Sequence, residues 1–126
     1  MNHKVRNKKI CFLGVTFKAN TDDMRDSSCL SMIPSLVKKG AKINYFDPTG
    51  EKNEFKNFKN VSYSNDIKSA ISNSDLIIIH TEWNDFKSIN FNKTVKNKNY
   101  KIFDMRNIYS AKKMKEQKIK YFAIGS

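Results

Sequence analysis

The feature that most constrains the fold is an uninterrupted apolar run near the middle of the chain, Leu76-Ile77-Ile78-Ile79. A strand with one face in water alternates apolar and polar residues, whereas a strand covered on both faces is apolar throughout. No other segment of the sequence is as apolar as this one. The run therefore predicts the central strand of a parallel sheet that has helices packed on both faces.

Other short apolar segments alternate along the chain with segments of helical periodicity. The predicted strands are Ile10–Leu13, Lys42–Phe46, a short edge strand Val61–Tyr63, Leu76–Ile79, Tyr100–Phe103 and Tyr121–Ile124. The predicted helices are a first one through Leu30, Ile33, Leu36 and Val37, then Asp66–Ile71 and Ser110–Gln117. This alternation predicts an α/β fold: one doubly wound, mostly parallel, Rossmann-like sheet of five to six strands with helices on both faces.

Two details of the helices can be predicted from single residues. Pro34 lies inside the first helix, where a proline removes a backbone hydrogen bond and clashes with the preceding turn, at a cost of about 3 kcal/mol. We therefore expect either a kink near Pro34 or a helix that starts late. For the second helix, Ser64 or Asn65 is available as the N-cap.

The length of 126 residues supports a single domain, which we place at residues 8–126 after an N-terminal tail of residues 1–7. No apolar run approaches the roughly 20 residues of a membrane span, and the first residues lack the apolar stretch of a signal peptide. Cys11 and Cys29 have no metal-ligand spacing, so we expect two reduced thiols and no metal site. These features predict a soluble, cytoplasmic protein with no membrane partner.

The net charge of +12 points to an anionic partner. A basic domain with a pI near 9.7 is compatible with nucleic-acid binding. However, the lysines are spread along the whole chain among many asparagines, without an Arg-rich arm, a zinc finger or an aromatic-glycine RNA signature. We therefore expect no nucleic-acid partner, and a positive field that favours an anionic small ligand such as a diphosphate.

The loop from Gly14 to Ser28 is the first candidate for a ligand site. Ligands of open α/β sheets bind beyond the carboxyl ends of the strands, and this loop follows the first predicted strand. Gly14 allows a tight backbone turn. Phe17 offers a ring that can pack on a base or sugar, and Lys18 a point charge for a phosphate. Arg25 offers a guanidinium that can hold a phosphate bidentately, and the loop ends at a helix N-terminus, where free N–H groups attract anions.

The same loop also has a plainer interpretation. Taken singly, Asp22, Asp23, Arg25 and Asp26 fit helix caps and surface ion pairs better than a ligand site, each such contact being worth at most about 1 kcal/mol. In addition, Gly14 is followed by no second or third glycine, so the Gly-x-Gly-x-x-Gly fingerprint of dinucleotide binding is absent. Residue types alone therefore do not decide whether the loop is an anion site or an ordinary polar turn.

The order of the residues in this loop is more specific than its composition. The string from Gly14 to Ser27, Gly-Val-Thr-Phe-Lys-Ala-Asn-Thr-Asp-Asp-Met-Arg-Asp-Ser, resembles the signature that opens the C-terminal domain of the UDP-glucose/GDP-mannose dehydrogenase family. Later landmarks agree in order and spacing: Tyr45–Pro48, Thr81–Trp83 with Phe86, Asp104–Asn107 and Ile124-Gly125. The resemblance covers nearly the whole chain.

The resemblance implies a function for the complete polypeptide. Full-length family members oxidise the C6 hydroxyl of a nucleotide sugar to a carboxylate, with NAD as the hydride acceptor. NAD is bound mainly by an N-terminal domain, and a helical middle domain builds a homo-oligomer; this chain lacks both. The present chain would bind the nucleotide of a UDP-sugar. Phe17 and Lys18 match positions that contact the UDP-sugar, and Arg25 matches the arginine that reaches towards NAD across the domain cleft.

No residue of this chain is expected to be catalytic, because the family's catalytic cysteine, lysine and asparagine belong to the absent domains. Cys29 lies at the head of a helix, where the pKa of a thiol can be lowered, but it does not match the catalytic position. Asp104 and Arg106 are interpreted as a strand-end ion pair that supports the cleft. Trp83 is interpreted as either packed against the fold or in contact with a ligand.

Three interpretations of the function stay open on these grounds. The chain is the C-terminal domain of an enzyme that uses UDP-glucose, and is inactive by itself. Alternatively, it is a stand-alone UDP-sugar-binding module or a partner subunit without catalysis. In the third interpretation it belongs to a related UDP-N-acetylmannosamine or GDP-mannose dehydrogenase. The combination of Phe17 and Lys18 with Thr81–Trp83 resembles the members that use UDP-glucose more than these relatives.

Overall fold

A computed structural model describes residues 5–124, and every structural statement below concerns that part of the chain. Six strands form one sheet, and each neighbouring pair is parallel. The strands are β1 Lys9–Leu13, β2 Lys42–Phe46, β3 Val61–Tyr63, β4 Leu76–Ile79, β5 Lys101–Asp104 and β6 Lys120–Ala123. The prediction of a doubly wound, Rossmann-like α/β sheet is confirmed.

Four α-helices and two short 3-10 helices connect the strands. The α-helices are α1 Cys29–Lys38, α2 Ile67–Ile71, α3 Phe91–Thr94 and α4 Ala111–Glu116, and the 3-10 helices are Asn53–Phe55 and Asn84–Phe86. Among the described helices, none is long and apolar enough to cross a membrane. Neither α3 nor the 3-10 helices were predicted, because three or four residues are too few to show a helical period.

The strand order β3-β2-β1-β4-β5-β6 places β1 and β4 side by side at the centre of the sheet. The chain moves outward from β1 to β3, returns to β4 beside β1, and then moves outward in the other direction. All four residues of β4 are buried, and the strand pairs with β1 on one side and β5 on the other. The prediction that Leu76–Ile79 is a central strand is therefore confirmed.

Alternating residues of each strand divide the core into two clusters, one on each face of the sheet. On the first face, called the α1 face, β1 and β4 present Ile10, Phe12 and Ile78 to residues of α1. On the opposite face, called the α2 face, they present Cys11, Leu13, Ile77 and Ile79 to the other three helices. Helices thus cover the central strands on both faces, as the apolar run in β4 requires.

The first two helices differ from the sequence predictions in their details. Because α1 begins at Cys29 and continues through Pro34 to Lys38, the alternative of a late start is wrong. The N-cap of α2 is Asp66, not Ser64 or Asn65, because an Asp66 oxygen accepts the backbone N–H of Ser69 at 2.7 Å. Asp66, which follows the two predicted residues in the sequence, therefore caps the helix in their place.

Candidate functional site

The candidate site lies at the carboxyl ends of the four inner strands, where the strand order switches direction. Gly14, Asp47 and His80 directly follow β1, β2 and β4, and Asp104 ends β5. The register pairs Leu13 with both Phe46 and Ile79, so these four positions lie next to one another along one edge of the sheet. The loop that begins at Gly14 passes over this edge.

Gly14 fixes the direction in which the loop leaves β1. Its φ of +81° is a left-handed conformation that side chains other than glycine rarely adopt. A Cβ at this position would lie 2.5 Å from the Cβ of Thr81, which is too close for two carbon atoms. Gly14 is therefore required by the backbone conformation and by the close approach of Thr81.

Asp47 holds the first residues of the loop from the side of β2. One of its carboxylate oxygens accepts the backbone N–H groups of Val15, at 2.8 Å, and Thr16, at 3.3 Å. The other oxygen accepts the backbone N–H and the hydroxyl of Thr49. Asp47 is fully buried, so these bonds replace the hydration that the carboxylate loses.

His80 joins the loop to the start of α1 through a chain of hydrogen bonds that is buried except at Ser28. The Thr81 hydroxyl donates to the carbonyl of Thr16 at 2.9 Å, so its oxygen is left to accept from His80 Nδ1, which lies 3.0 Å away. His80 Nε2 then accepts from the Ser28 hydroxyl at 2.8 Å. The network thereby selects the tautomer with the proton on Nδ1.

The protonation state of His80 fits this role. Burial, with the nearby charge of Arg106, lowers the pKa of the His80 imidazole from 6.5 to about 4. A hydrogen bond with the backbone of Gly14 and the charge of Asp47 oppose this shift. The ring is consequently neutral near pH 7 and acts as one donor and one acceptor, as its two neighbours require.

Arg106 ties the same loop to β4 and β5. Its Nε donates to the carbonyl of His80 at 3.0 Å, and a terminal guanidinium nitrogen donates to the carbonyl of Phe17 at 2.9 Å. The predicted ion pair between Asp104 and Arg106 is therefore wrong. The buried Asp104 carboxylate instead accepts the Tyr121 hydroxyl at 2.7 Å and three backbone N–H groups, including that of Arg106.

The three residues predicted to bind ligands lie on the outer part of this loop. Phe17 is 45% exposed, Lys18 is exposed, and the Arg25 side chain is 89% exposed. Arg25 is paired bidentately with Asp23, with nitrogen–oxygen distances of 3.0 and 3.1 Å. Hydrogen bonds from Arg25, and more weakly the charge of Lys18, lower the pKa of the Asp23 carboxyl. Arg25 is thus held in a surface ion pair with Asp23, as the plainer interpretation of the loop anticipated.

The N-terminus of α1 does not offer the free N–H groups that the sequence suggested. The N–H of Cys29 donates to the Ser27 hydroxyl oxygen, and those of Leu30 and Ser31 donate to the carbonyls of Ser27 and Ser28. The prediction of a lowered Cys29 pKa is also wrong, because the thiol is fully buried and burial raises its pKa. This helix end therefore belongs to the scaffold of the loop.

Trp83 packs into the core on the α2 face and is only 8% exposed. Of its two predicted interpretations, packing against the fold is the one that the structure shows. Its indole Nε1 is the one buried side-chain polar atom without a hydrogen-bond partner in the described chain. Within residues 5–124, no group of three or more His, Cys, Asp and Glu side chains is placed to hold a metal ion.

The arrangement is suited to holding a loop in place rather than to reacting. Both thiols are buried with raised pKa values, and the imidazole is neutral and hydrogen-bonded on both sides. Sequence reasoning missed His80 and Arg106 as the residues that fix the loop. The available signal was their position after strands β4 and β5, but residue type did not reveal that they bond to backbone carbonyls.

The fold and the site define a Rossmann-like α/β domain with its candidate ligand site at the switch in strand order. The model for the UDP-glucose/GDP-mannose dehydrogenase family, UDP binding domain, matches residues 11–111. Because this match covers most of the chain, the chain belongs to that family and corresponds to its C-terminal, UDP-binding domain.

Individual relatives agree with this assignment. The chain is 35% identical to the UDP-glucose 6-dehydrogenase of Rhizobium meliloti over 96% of its own length, and 37% identical to that of Rickettsia conorii over 97%. It spans only 28% and 29% of these two proteins. A solved UDP-glucose dehydrogenase from Pyrobaculum islandicum matches 94% of this chain and 25% of its own, with a TM-score of 0.70 and 25% identity.

Proposed function

We propose that this chain is the UDP-sugar-binding domain of an NAD-dependent enzyme that oxidises UDP-glucose to UDP-glucuronate. The observation that carries the proposal is the loop with exposed Phe17 and Lys18, whose backbone is bonded to Asp47, Thr81 and Arg106. Such pre-organisation reduces the entropy cost of binding. The names of the Rhizobium and Rickettsia relatives support UDP-glucose rather than GDP-mannose or UDP-N-acetylmannosamine.

The two substrate residues have distinct roles in this proposal. The Phe17 ring packs against the uracil or the sugar, where an aromatic face offers apolar contact without a fixed hydrogen-bond pattern. The Lys18 ammonium pairs with the diphosphate. Arg106 holds the Phe17 carbonyl, so the ring and the neighbouring ammonium leave the loop from a fixed backbone position. This chain thus contributes binding and orientation of the nucleotide.

NAD contacts only the rim of this domain in the proposed enzyme. The N–H groups at the head of α1 are already bonded, and Thr81 closes the space beside Gly14, so the pyrophosphate does not fit where a dinucleotide fingerprint would hold it. The exposed Arg25 guanidinium fits a phosphate of NAD once it leaves Asp23. When bound, NAD supplies the hydride acceptor, and the groups that hold most of it belong to other domains.

The cytoplasmic location belongs to the same proposal. It is supported by Cys11 and Cys29, both unpaired and buried on opposite faces of the sheet. Free thiols are typical of a reducing compartment.

A titration of the ¹⁵N-labelled chain with UDP tests the proposed site. We expect UDP to shift the amide signals of residues 14–28, and Lys18→Ala to weaken binding about tenfold, roughly the value of one charge-assisted phosphate contact. Lys59→Ala, which removes an exposed lysine from the 49–60 segment, is the matched control and leaves the affinity unchanged. Equal losses in the two variants, or shifts confined to other regions, would contradict the site. A micromolar Kd for UDP would favour a stand-alone module over a domain that needs the rest of its enzyme.

A further inference from the structure

The helices of the described chain leave one outer part of the sheet without a helix. On the α1 face, α1 and the 3-10 helix Asn53–Phe55 pack over the β3-β2-β1 side. On the α2 face, α2 packs against β1 and β2, and α3, α4 and the 3-10 helix Asn84–Phe86 pack over the β4-β5-β6 side. The α1 face of β5 and β6 is consequently open. Its chemistry differs from that of the outer strands on the other side of the sheet.

Beside α2, the α2 face of β2 and β3 is polar. The strands present Lys42, Asn44, Ser62 and Ser64 there, and these residues border a cavity of about 300 Å³. Asn44 donates to a carbonyl of α2 and accepts from the Ser64 hydroxyl. A parallel strand is normally apolar on both faces, so polar residues here are what a face in contact with water requires.

The open area on β5 and β6 is apolar. Residues alternate along the strands, and the register pairs Phe103 with Phe122 on the α1 face, with Met105 and Ile124 following on the same side. Phe122 is 55% exposed and Ile124 is 48% exposed, two of the four large exposed apolar side chains in the described chain. We call these four residues, Phe103, Met105, Phe122 and Ile124, the β5–β6 apolar face.

The polar area provides an internal comparison for the apolar one. The same sheet carries serine, asparagine and lysine where it meets water, but two phenylalanines, a methionine and an isoleucine where it lacks a helix on the other side. Phe103 and Met105 are half-buried against the α1-face core, and Phe122 and Ile124 extend this apolar surface into solvent. Exposed apolar residues that continue a core in this way are typical of a surface that another element covers.

Charge indicates what kind of element covers this face. Lys101 and Lys120 pair in the register and lie on the same side as Phe103 and Phe122, at the amino end of the apolar face. Two copies of this chain facing each other there would bring four ammonium groups together, and each copy carries a net charge of +12. Repulsion disfavours that arrangement, whereas carboxylates beside an apolar stripe complement the lysines.

We propose that the β5–β6 apolar face is the docking surface for an amphipathic helix with acidic residues along one side of its apolar stripe. The occupant is a helix because helices cover the other closed parts of both sheet faces. It belongs to the dehydrogenase part that relatives carry outside the region matched here, about 70% of their length. The inference rests on the proposed function, because that function names the part of the enzyme from which the helix comes. What the inference adds is the surface of this chain that the helix contacts and the charge of the helix.

A titration with two synthetic helical peptides tests the surface. The peptides share one Leu/Ile stripe, and carry either glutamate or lysine beside it. We expect the glutamate peptide to shift the side-chain signals of Phe103, Phe122 and Ile124 in an isotope-labelled chain and to bind at least tenfold more tightly than the lysine peptide. The double variant Phe122→Ser/Ile124→Ser loses at least tenfold in affinity, whereas Leu30→Ser, which removes another exposed apolar side chain, retains it.

Several outcomes would overturn the proposal. Equal binding of the two peptides would contradict the claim that the helix is acidic. If neither peptide binds to a folded chain, the face is not a docking surface for a helix. Sedimentation that shows a dimer, dissociated by Phe122→Ser/Ile124→Ser, would make a second copy the occupant. Circular dichroism checks that the double variant keeps its fold. We expect Lys18→Ala to weaken UDP binding and to leave peptide binding unchanged. Failure of this inference is therefore distinguishable from failure of the proposed function.

Discussion

At the residue scale, Gly14 is subject to a conformational and a steric constraint, which can be separated by comparison with Gly50. Gly14→Ala forces a side chain into φ +81° and against Thr81, and we expect it to lower the free energy of unfolding by more than about 2 kcal/mol. Gly50 has a similar φ of +97° but no atom within 4 Å of the added Cβ, so Gly50→Ala is expected to cost only about 1 kcal/mol. Urea unfolding of both variants measures the difference. Equal losses would show that Thr81 moves aside without cost.

His80 gives the stability a dependence on pH that can be predicted in sign. The pKa of its imidazole is lowered from 6.5 to about 4 in the folded chain, so the unfolded state binds the proton more readily. Its contribution to stability is complete above pH 6.5 and is lost as the pH falls towards 4, by about 3 kcal/mol. His80→Gln should remove this part of the pH profile in urea unfolding. The loss of stability from the carboxyl groups of Asp23 and Asp66, whose pKa values are lowered from 3.8, develops mainly below pH 4 and is common to the wild type and the variant. A wild-type profile that stays flat between pH 6.5 and 4 would contradict the buried, neutral ring.

Residues near strand ends could be singled out from the sequence as candidates for the site, but their hydrogen-bond partners could not be predicted. Gly14, Phe17 and Lys18 were singled out by sequence, and the structure places them in one loop at the switch in strand order. Arg106 was expected to pair with Asp104 because the two charges are close in sequence. In the folded chain, the Arg106 guanidinium donates instead to backbone carbonyls of two other segments. Because every residue has a backbone carbonyl, residue type does not reveal such partners.

At the scale of single elements, the N-cap of α2 separates the predicted cap from the observed one. Asp66→Ala removes the acceptor for the Ser69 N–H and should cost about 1 kcal/mol. Asn65→Ala is the matched control, because the exposed Asn65 side chain makes no hydrogen bond within the described residues, and it should leave the free energy of unfolding unchanged. Thermal or urea unfolding measures both. A larger loss of unfolding free energy for Asn65→Ala than for Asp66→Ala would show that Asn65, one of the predicted residues, is the cap.

Strands were predicted more closely than helices, for a physical reason. A buried strand needs only four or five apolar residues, and each predicted strand matches an observed one within a residue at its ends. The segment from Thr49 to Asn60 was interpreted as a polar surface excursion, yet it contains the buried Phe55 and a buried Lys52 that donates to the Thr49 hydroxyl. A turn without the periodicity of a helix or strand can still bury long side chains, so the composition of such a segment does not show that burial.

At the scale of the whole molecule, the proposed division of labour predicts that this chain alone does not turn over substrate. Incubation with UDP-glucose and NAD should produce no NADH above the blank, because both thiols are buried and the imidazole is fully hydrogen-bonded. Absorbance at the NADH band measures this directly. Steady NADH formation by the purified chain that survives further purification would contradict the absence of catalytic groups.

The topology was predictable from the sequence, whereas the coverage of the sheet was not. Alternating strands and helices, with a wholly apolar fourth strand, are sufficient to indicate a parallel doubly wound sheet. Phe122 reads in the sequence like any core residue of a strand. Only its register beside Phe103 and its exposure of 55% show that it lies on a part of the sheet without a helix over it in the described chain.

The parallel pairing of all six strands also has a consequence for how the chain is made. In the central pair, Ile10 of β1 lies beside Leu76 of β4, so the first strand cannot gain its second neighbour until the segment up to β4 has left the ribosome. Until then, Phe12 and Leu13 lack the neighbouring strand that completes their burial. The nascent domain therefore exposes an apolar strand to chaperones while this segment is being synthesised.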